Sequence, residues 1–406
     1  MLHRSRRARP LVALGVALAL VGGACSSDGG DDDDDAGDAS STASSTTAAE
    51  ETTTAPEDDG PALADLAERG PHGVGSIDLD LDGRRVVVWY PAADAGAGID
   101  EPTGTFDIAS LLSPELQAQV PAEMRIQYPV AAAPGAAPAT DDGPYPLVLF
   151  SHGFAGFPEQ SVSLTTHLAS WGYVVAAPDH VERSLGGILG TAAQGVTPST
   201  DPEVLTATAD LVALTADDPS SPLDGMVDLE RVAVLGHSAG AGAAYRTAAT
   251  DPRIDAVGAY SLGAGGDEDL GEAPTVPALV MLGEADETIP ADATREVFAT
   301  MGTPRSLVEI AGAGHLVFSD LCLIGAEQGG LVGIVESIGL PIPVNLLQLA
   351  SDGCGDAYPP VEDAYPAIDA VTVAFLGATF GDDALGALLD DGPVPVGEGA
   401  TLTVEG

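Results

Sequence analysis

An α/β fold built on an eight-stranded, mostly parallel sheet with helices on both faces is the architecture this sequence predicts. Two patterns carry the prediction. From about Ala62 onward, short β-branched runs alternate with Ala- and Leu-rich helical stretches. The later β-branched runs also lack polar alternation, as expected when both faces of a strand are covered. Strands are expected at 73–81, 85–90, 147–151, 173–177, 231–235, 256–261, 278–282 and 306–310. The first two are joined by Asp82-Gly83 and read as an antiparallel hairpin at the sheet edge. Helices fit at 159–171, 202–215, 239–250, 292–301 and 364–380, with a shorter one near 110–119.

Three excursions break the rhythm: 92–144, 181–229 and 316–362, the last holding the apolar stretch 331–349. Loops at the strand ends carry function in this architecture, so each could form the rim or lid of a pocket, or simply cover surface. No internal repeat is visible.

The N-terminus reads as an export signal over 1–24. Arg4, Arg6, Arg7 and Arg9 precede an apolar run from Leu11 to Val21, well short of the ~20 residues a membrane-spanning helix needs. Gly22-Gly23-Ala24-Cys25 is similar to a bacterial lipoprotein processing site, which implies lipidation of Cys25. Gly22 stands where that pattern usually has Leu, so ordinary cleavage near Ala24 stays open. Residues 25–61 are then a lipidated Cys followed by an acidic tether with little to bury. The domain is expected over 62–391 and a tail over 392–406. The protein is placed outside the cytoplasm, held at the outer face of the cell membrane through Cys25 or secreted.

The chain carries 62 Asp and Glu against 14 basic residues, all of them Arg, a formal net charge of −48. Such a field repels nucleic acid and anionic headgroups, so neither is an expected partner, and membrane contact is expected only through the lipid. A monomer acting on a small-molecule or lipid substrate is the expectation. With Cys25 assigned to processing, Cys322 and Cys354 are left as a pair in a compartment where disulfides persist. A bridge there would stabilise by roughly 3–4 kcal/mol through loop closure; two free buried thiols are the alternative.

The motif with the most chemistry is Gly236-His237-Ser238-Ala239-Gly240, set between a strand and an Ala-rich helix, the context a G-x-S-x-G elbow requires. A serine needs a base within reach of its hydroxyl. Of seven histidines, His315 stands in a glycine-rich loop directly after the eighth expected strand. His3, His72, His152, His167, His180 and His237 occupy less suitable places. The base in turn needs a carboxylate to fix its tautomer. Asp286 lies in the loop after the seventh strand, with Glu284, Glu287 and Asp179 as alternatives, and Ser238, Asp286, His315 is the chain order used by folds with such an elbow. Backbone amides of Ala239 and of Phe154, in the loop Ser151-His152-Gly153-Phe154-Ala155-Gly156, are the expected oxyanion donors.

With Trp89-Tyr90-Pro91-Ala92, the segment 146–154 and the segment 168–180, these motifs resemble the platelet-activating-factor acetylhydrolase and dienelactone-hydrolase-like group over residues 73–316; cutinase-type polyester hydrolases are similar but more distant. The resemblance implies an α/β-hydrolase fold and an ester hydrolase without metal or other cofactor. It puts Ser238, Asp286 and His315 on the triad positions and Phe154 and Ala239 on the oxyanion ones. Dienelactone members often carry Cys as the nucleophile, and Ser here favours the esterase side. The expected substrate is a neutral ester, short-acyl or lipid-like. A non-catalytic binding protein on the same fold and a serine peptidase are the competing readings.

Overall fold

The computed structural model describes residues 61–98, 104–190, 195–263, 270–339 and 344–406. The expected signal, Cys25 and most of the tether lie outside these residues. The strands are β1 (Gly73–Leu81), β2 (Arg84–Ala92), β3 (Gly104–Asp107), β4 (Gln127–Val130), β5 (Ala133–Pro134), β6 (Tyr145–Ser151) and β7 (Val174–Pro178). They continue with β8 (Val227–His237), β9 (Ala256–Tyr260), β10 (Ala278–Gly283), β11 (Arg305–Ile310), β12 (Gly392–Pro393) and β13 (Ala400–Glu405). The helices are α1 (Pro114–Gln117), α2 (Val162–Ser170), α3 (Leu185–Ile188), α4 (Asp201–Ala216) and α5 (Ala239–Thr250). After them come α6 (Ala291–Phe298), α7 (Gly330–Ser337), α8 (Val344–Leu349), α9 (Tyr365–Thr379) and α10 (Asp383–Gly386). No helix among the described residues is long and apolar enough to cross a membrane.

The main sheet has eleven strands in the order β12-β13-β11-β10-β9-β8-β6-β7-β2-β1-β5, while β3 and β4 pair separately. From β7 through β11 neighbouring strands run parallel. The β1–β2 hairpin is antiparallel and turns at Asp82 and Gly83, both in the left-handed region that a two-residue turn of this hand requires. All eight expected strands are present, and the sheet exceeds the count by three at its margins. β5 adds two residues outside β1, whereas β12 and β13 extend the other edge. The expected tail at 392–406 is therefore corrected: Ala400–Glu405 pairs antiparallel with the whole of β11, with Leu402 buried. The expected helix at 110–119 is also shorter, a single turn over Pro114–Gln117 after a 3-10 turn at Ile108–Leu111.

Each central strand feeds two cores. In β6, Leu147 and Leu149 enter the core beneath α4 and α5, while Val148 and Phe150 enter the one beneath α2 and α9. This period of two, apolar on both sides, is why the run showed no polar alternation. The parallel direction brings the C-terminal ends of β6, β8, β10 and β11 to one rim, where their loops meet.

Candidate active site

At that rim β8 ends in the sequence Gly236-His237-Ser238-Ala239-Gly240 and turns at once into α5. The turn is so tight that Ser238 holds φ 58° and ψ −122°. Such backbone strain is borne by a non-glycine residue only where its surroundings fix it. Both flanking glycines are required by contact: a Cβ on Gly236 would lie 2.2 Å from the Gly240 carbonyl oxygen, and one on Gly240 would lie 1.9 Å from the Ser151 carbonyl oxygen.

The hydroxyl so presented meets His315, whose Nε2 is 2.9 Å from Ser238 Oγ. His315 Nδ1 is 2.8 Å from Asp286 Oδ2. Because an ionised carboxylate only accepts, Nδ1 carries the proton and Nε2 is free to accept from the serine. Asp286 is itself held by Ser261 Oγ at 2.9 Å and by the amides of Thr288 and Ile289 at 2.9 and 2.6 Å. Burial works against its charge, yet the hydrogen bonds from His315, Ile289 and Ser261 outweigh that and hold its pKa below the usual carboxylate value. The alternatives fall away by position. Glu284 and Glu287 point to solvent, and Asp179 lies 3.8 Å from His152 instead.

Among the described residues, the amides of Phe154 and Ala239 donate to no acceptor in the protein. Ala239 opens α5, where amides and helix dipole together favour an anion. The adjacent amide of Gly153 is not available, since it donates to Gln160 Oε1 at 2.9 Å. That bond starts a buried chain: Gln160 Nε2 donates to His237 Nδ1 at 2.9 Å, and His237 Nε2 donates to the carbonyl oxygen of His315 at 2.9 Å. His237 is kept neutral, its pKa pushed down to about 3 by burial and by the neighbouring His315. Gln160 thus ties the Phe154 loop, the elbow and the loop of the base into one unit. Nothing in local sequence signalled this, because its partners lie up to 77 residues away.

Two further residues escaped sequence reasoning. Arg183 grips the loop before Phe154 from behind, donating to the carbonyls of His152 and Gly153. Asp352 joins the acid and base loops: its Oδ1 accepts from the His315 amide at 3.1 Å and its Oδ2 from the Thr288 amide at 2.7 Å. Cys322 and Cys354 are disulfide-bonded.

Ser238 and His315 open into a cavity of about 480 Å³ walled by Phe154, α3, α7 and α8. Of the three excursions, 181–229 and 316–362 contribute to its wall, while 92–144 braces from outside, stacking Phe106 on Phe157 at 4.9 Å. Among the described residues, no three His, Cys, Asp or Glu side chains come together in a way that could hold a metal ion.

A strained serine elbow at the C-terminal rim of such a sheet, followed in chain order by an acid loop and a histidine loop, belongs to an α/β hydrolase. Residues 133–321 match the model of the dienelactone hydrolase family, an α/β-hydrolase family, and the match supports a hydrolase. Ser238, Asp286 and His315 all lie within the matched stretch. No curated protein matches the chain.

Proposed function

We propose that this hydrolase is a serine esterase acting on a neutral carboxylic ester through an acyl-enzyme. The carrying observation is the continuous relay from Ser238 Oγ through His315 to Asp286, at 2.9 and 2.8 Å, beneath an apolar cavity. His315 takes the serine proton as Oγ attacks the ester carbonyl. The tetrahedral oxyanion is held by the Phe154 and Ala239 amides, and its collapse expels the alcohol, which takes the proton from His315. Water, activated by the same imidazole, then adds to the acyl carbonyl and releases the acid and Ser238. Asp286 stabilises the transient imidazolium in both halves.

A fluorophosphonate probe should label wild-type protein once and leave Ser238→Ala unlabelled. Turnover of p-nitrophenyl esters should fall by at least ~10⁴-fold in that variant. Labelling of Ser238→Ala, or cleavage of aminoacyl anilides in preference to esters, would overturn the proposal.

The same reading places the enzyme outside the cytoplasm, acylated at Cys25 and carried on its acidic tether. The leader sequence supports this, and the Cys322–Cys354 disulfide accords with an oxidising compartment. Labelled palmitate should enter the wild-type chain and be absent from Cys25→Ala; equal incorporation in both would refute the anchor.

A further inference from the structure

The cavity over Ser238 has a wall that the family match does not reach. The match ends at residue 321. The next residue, Cys322, opens a loop closed 32 residues later by its disulfide to Cys354. Both half-cystines line the cavity, and between them α7 contributes Leu331, Val332 and Val335, and α8 Leu346 and Leu349. Asp352, two residues before Cys354, fixes this end of the loop to the His315 and Thr288 amides. The wall is thus anchored to the catalytic loops themselves.

Its chemistry is selective. Although the chain holds 62 acids, no Asp, Glu or Arg among the described residues lines the cavity. The polar side chains that reach it, Gln160, His237, Ser238 and His315, all belong to the reacting end. Size points the same way. A cavity of about 480 Å³ is far larger than an acetyl group needs, and it has room for an unbranched arm of several carbons beyond the ester. Each methylene moved from water into such a wall strengthens binding by up to about fourfold.

We infer that α7 and α8, held by the Cys322–Cys354 bridge, form a hydrocarbon-arm subsite that selects esters bearing an unbranched chain of about six to ten carbons over acetyl esters. This rests on the esterase reading of Ser238. The arm is the acyl or the alkyl part of the ester, and two substrate series distinguish them: p-nitrophenyl acetate against octanoate, and ethyl against octyl acetate. In at least one series kcat/KM should rise tenfold or more with the longer arm. Val335→Trp, or Leu349→Phe should the first fail to fold, should collapse that ratio toward one, and Cys322→Ser/Cys354→Ser should lower it. Equal kcat/KM for short and long arms in both series, or a ratio untouched by the wall variants, would overturn the inference. A binding arm needs no turnover: octanamide should bind Ser238→Ala at least tenfold more tightly than acetamide, and lose that advantage with Val335→Trp. Tight octanamide binding without any ester turnover keeps the subsite and sinks the esterase reading. Turnover of acetyl and octanoyl esters at equal rates does the reverse.

Discussion

Two Ser-His-Asp relays sit at the same rim of this sheet, with the same spacings. In one, Ser238 Oγ lies 2.9 Å from His315 Nε2 and His315 Nδ1 lies 2.8 Å from Asp286. In the other, Ser151 Oγ lies 2.9 Å from His180 Nε2 and His180 Nδ1 lies 2.8 Å from Asp201. The spacings match, but His180 Nδ1 makes no hydrogen bond among the described residues despite its closeness to Asp201, whereas His315 Nδ1 bonds Asp286, and the surroundings differ as well. Ser151 ends an ordinary strand and is sealed from solvent, whereas Ser238 is thrust by its strained turn into a cavity. Ser151 Oγ also accepts from Arg183 at 2.9 Å, and Asp201 accepts from Arg183 Nε at 3.0 Å. The carboxylate behind His180 is therefore already matched by a guanidinium, while Asp286 has no basic partner other than His315 among the described residues. Burial and Arg183 push the His180 pKa down to about 3, leaving an imidazole that resists protonation. On the proposed reading the Ser238 set is the proton relay, and the Ser151 set is a brace that holds the Phe154 loop.

The sharpest way to break this contrast is to remove each serine in turn. Ser238→Ala should cost at least ~10⁴-fold in kcat and all probe labelling. Ser151→Ala should leave ester turnover within about tenfold and labelling complete. Its cost should fall on stability, roughly 1–3 kcal/mol in urea unfolding, because Arg183 and His180 each lose a buried partner. A Ser151→Ala enzyme as dead as Ser238→Ala would abolish the distinction.

A smaller effect should come from the brace itself. Arg183 is a positioning residue: it holds the His152 and Gly153 carbonyls and so sets where the next amide, Phe154, points. Misplacing one oxyanion donor costs ~10²–10³-fold in kcat. Arg183→Met should lower kcat by about that factor with KM changed less than threefold, and Arg183→Lys should recover part of it. A fall confined to KM would assign Arg183 to substrate binding instead.

The Ser238 relay was legible in the sequence because each member sits beside a local signal. Ser238 has flanking glycines between strand and helix, Asp286 and His315 follow apolar strand runs, and their order is fixed by the fold. The brace was not legible, since Ser151, His180, Arg183 and Asp201 carry no spacing of their own and meet only when β6 and β7 pair. Gln160 was hidden for the same reason. The last edge strand was missed because Gly392 and Gly397–Gly399 give its approach a loop composition, so that only the short alternation ending in Val404 marks it. The role of 316–362 needed the disulfide and Asp352 to place it, and both act through contacts distant in the chain.

The gentlest probe of the contrast is acid. A histidine whose folded pKa lies below its unfolded value near 6.5 binds fewer protons when folded, so its contribution is intact above pH 6.5 and is lost as pH falls toward the folded pKa. His180 and His237 are lowered to about 3 and His167 to about 4, in each case chiefly by burial. Asp320 and Asp369 act in the opposite sense: burial raises them to about 6 and about 8, so what they add below pH 4 is lost as pH rises through those values. Each group contributes a slope of at most ~1.4 kcal/mol per pH unit. His152 is lowered by burial as well, and burial raises Glu159 in the sense of Asp369. Just below pH 6.5 four histidines outweigh the raised carboxyls, while above it only the raised carboxyls act. Urea midpoints should therefore peak near pH 6.5, falling steeply on the acid side and shallowly toward pH 8. Removing the braced imidazole with His180→Asn should cut the acid slope by about a quarter, and Asp369→Asn should flatten the alkaline side. An acid slope unchanged in His180→Asn would mean that this imidazole is charged in the folded protein, and the electrostatic difference between the two relays would be gone.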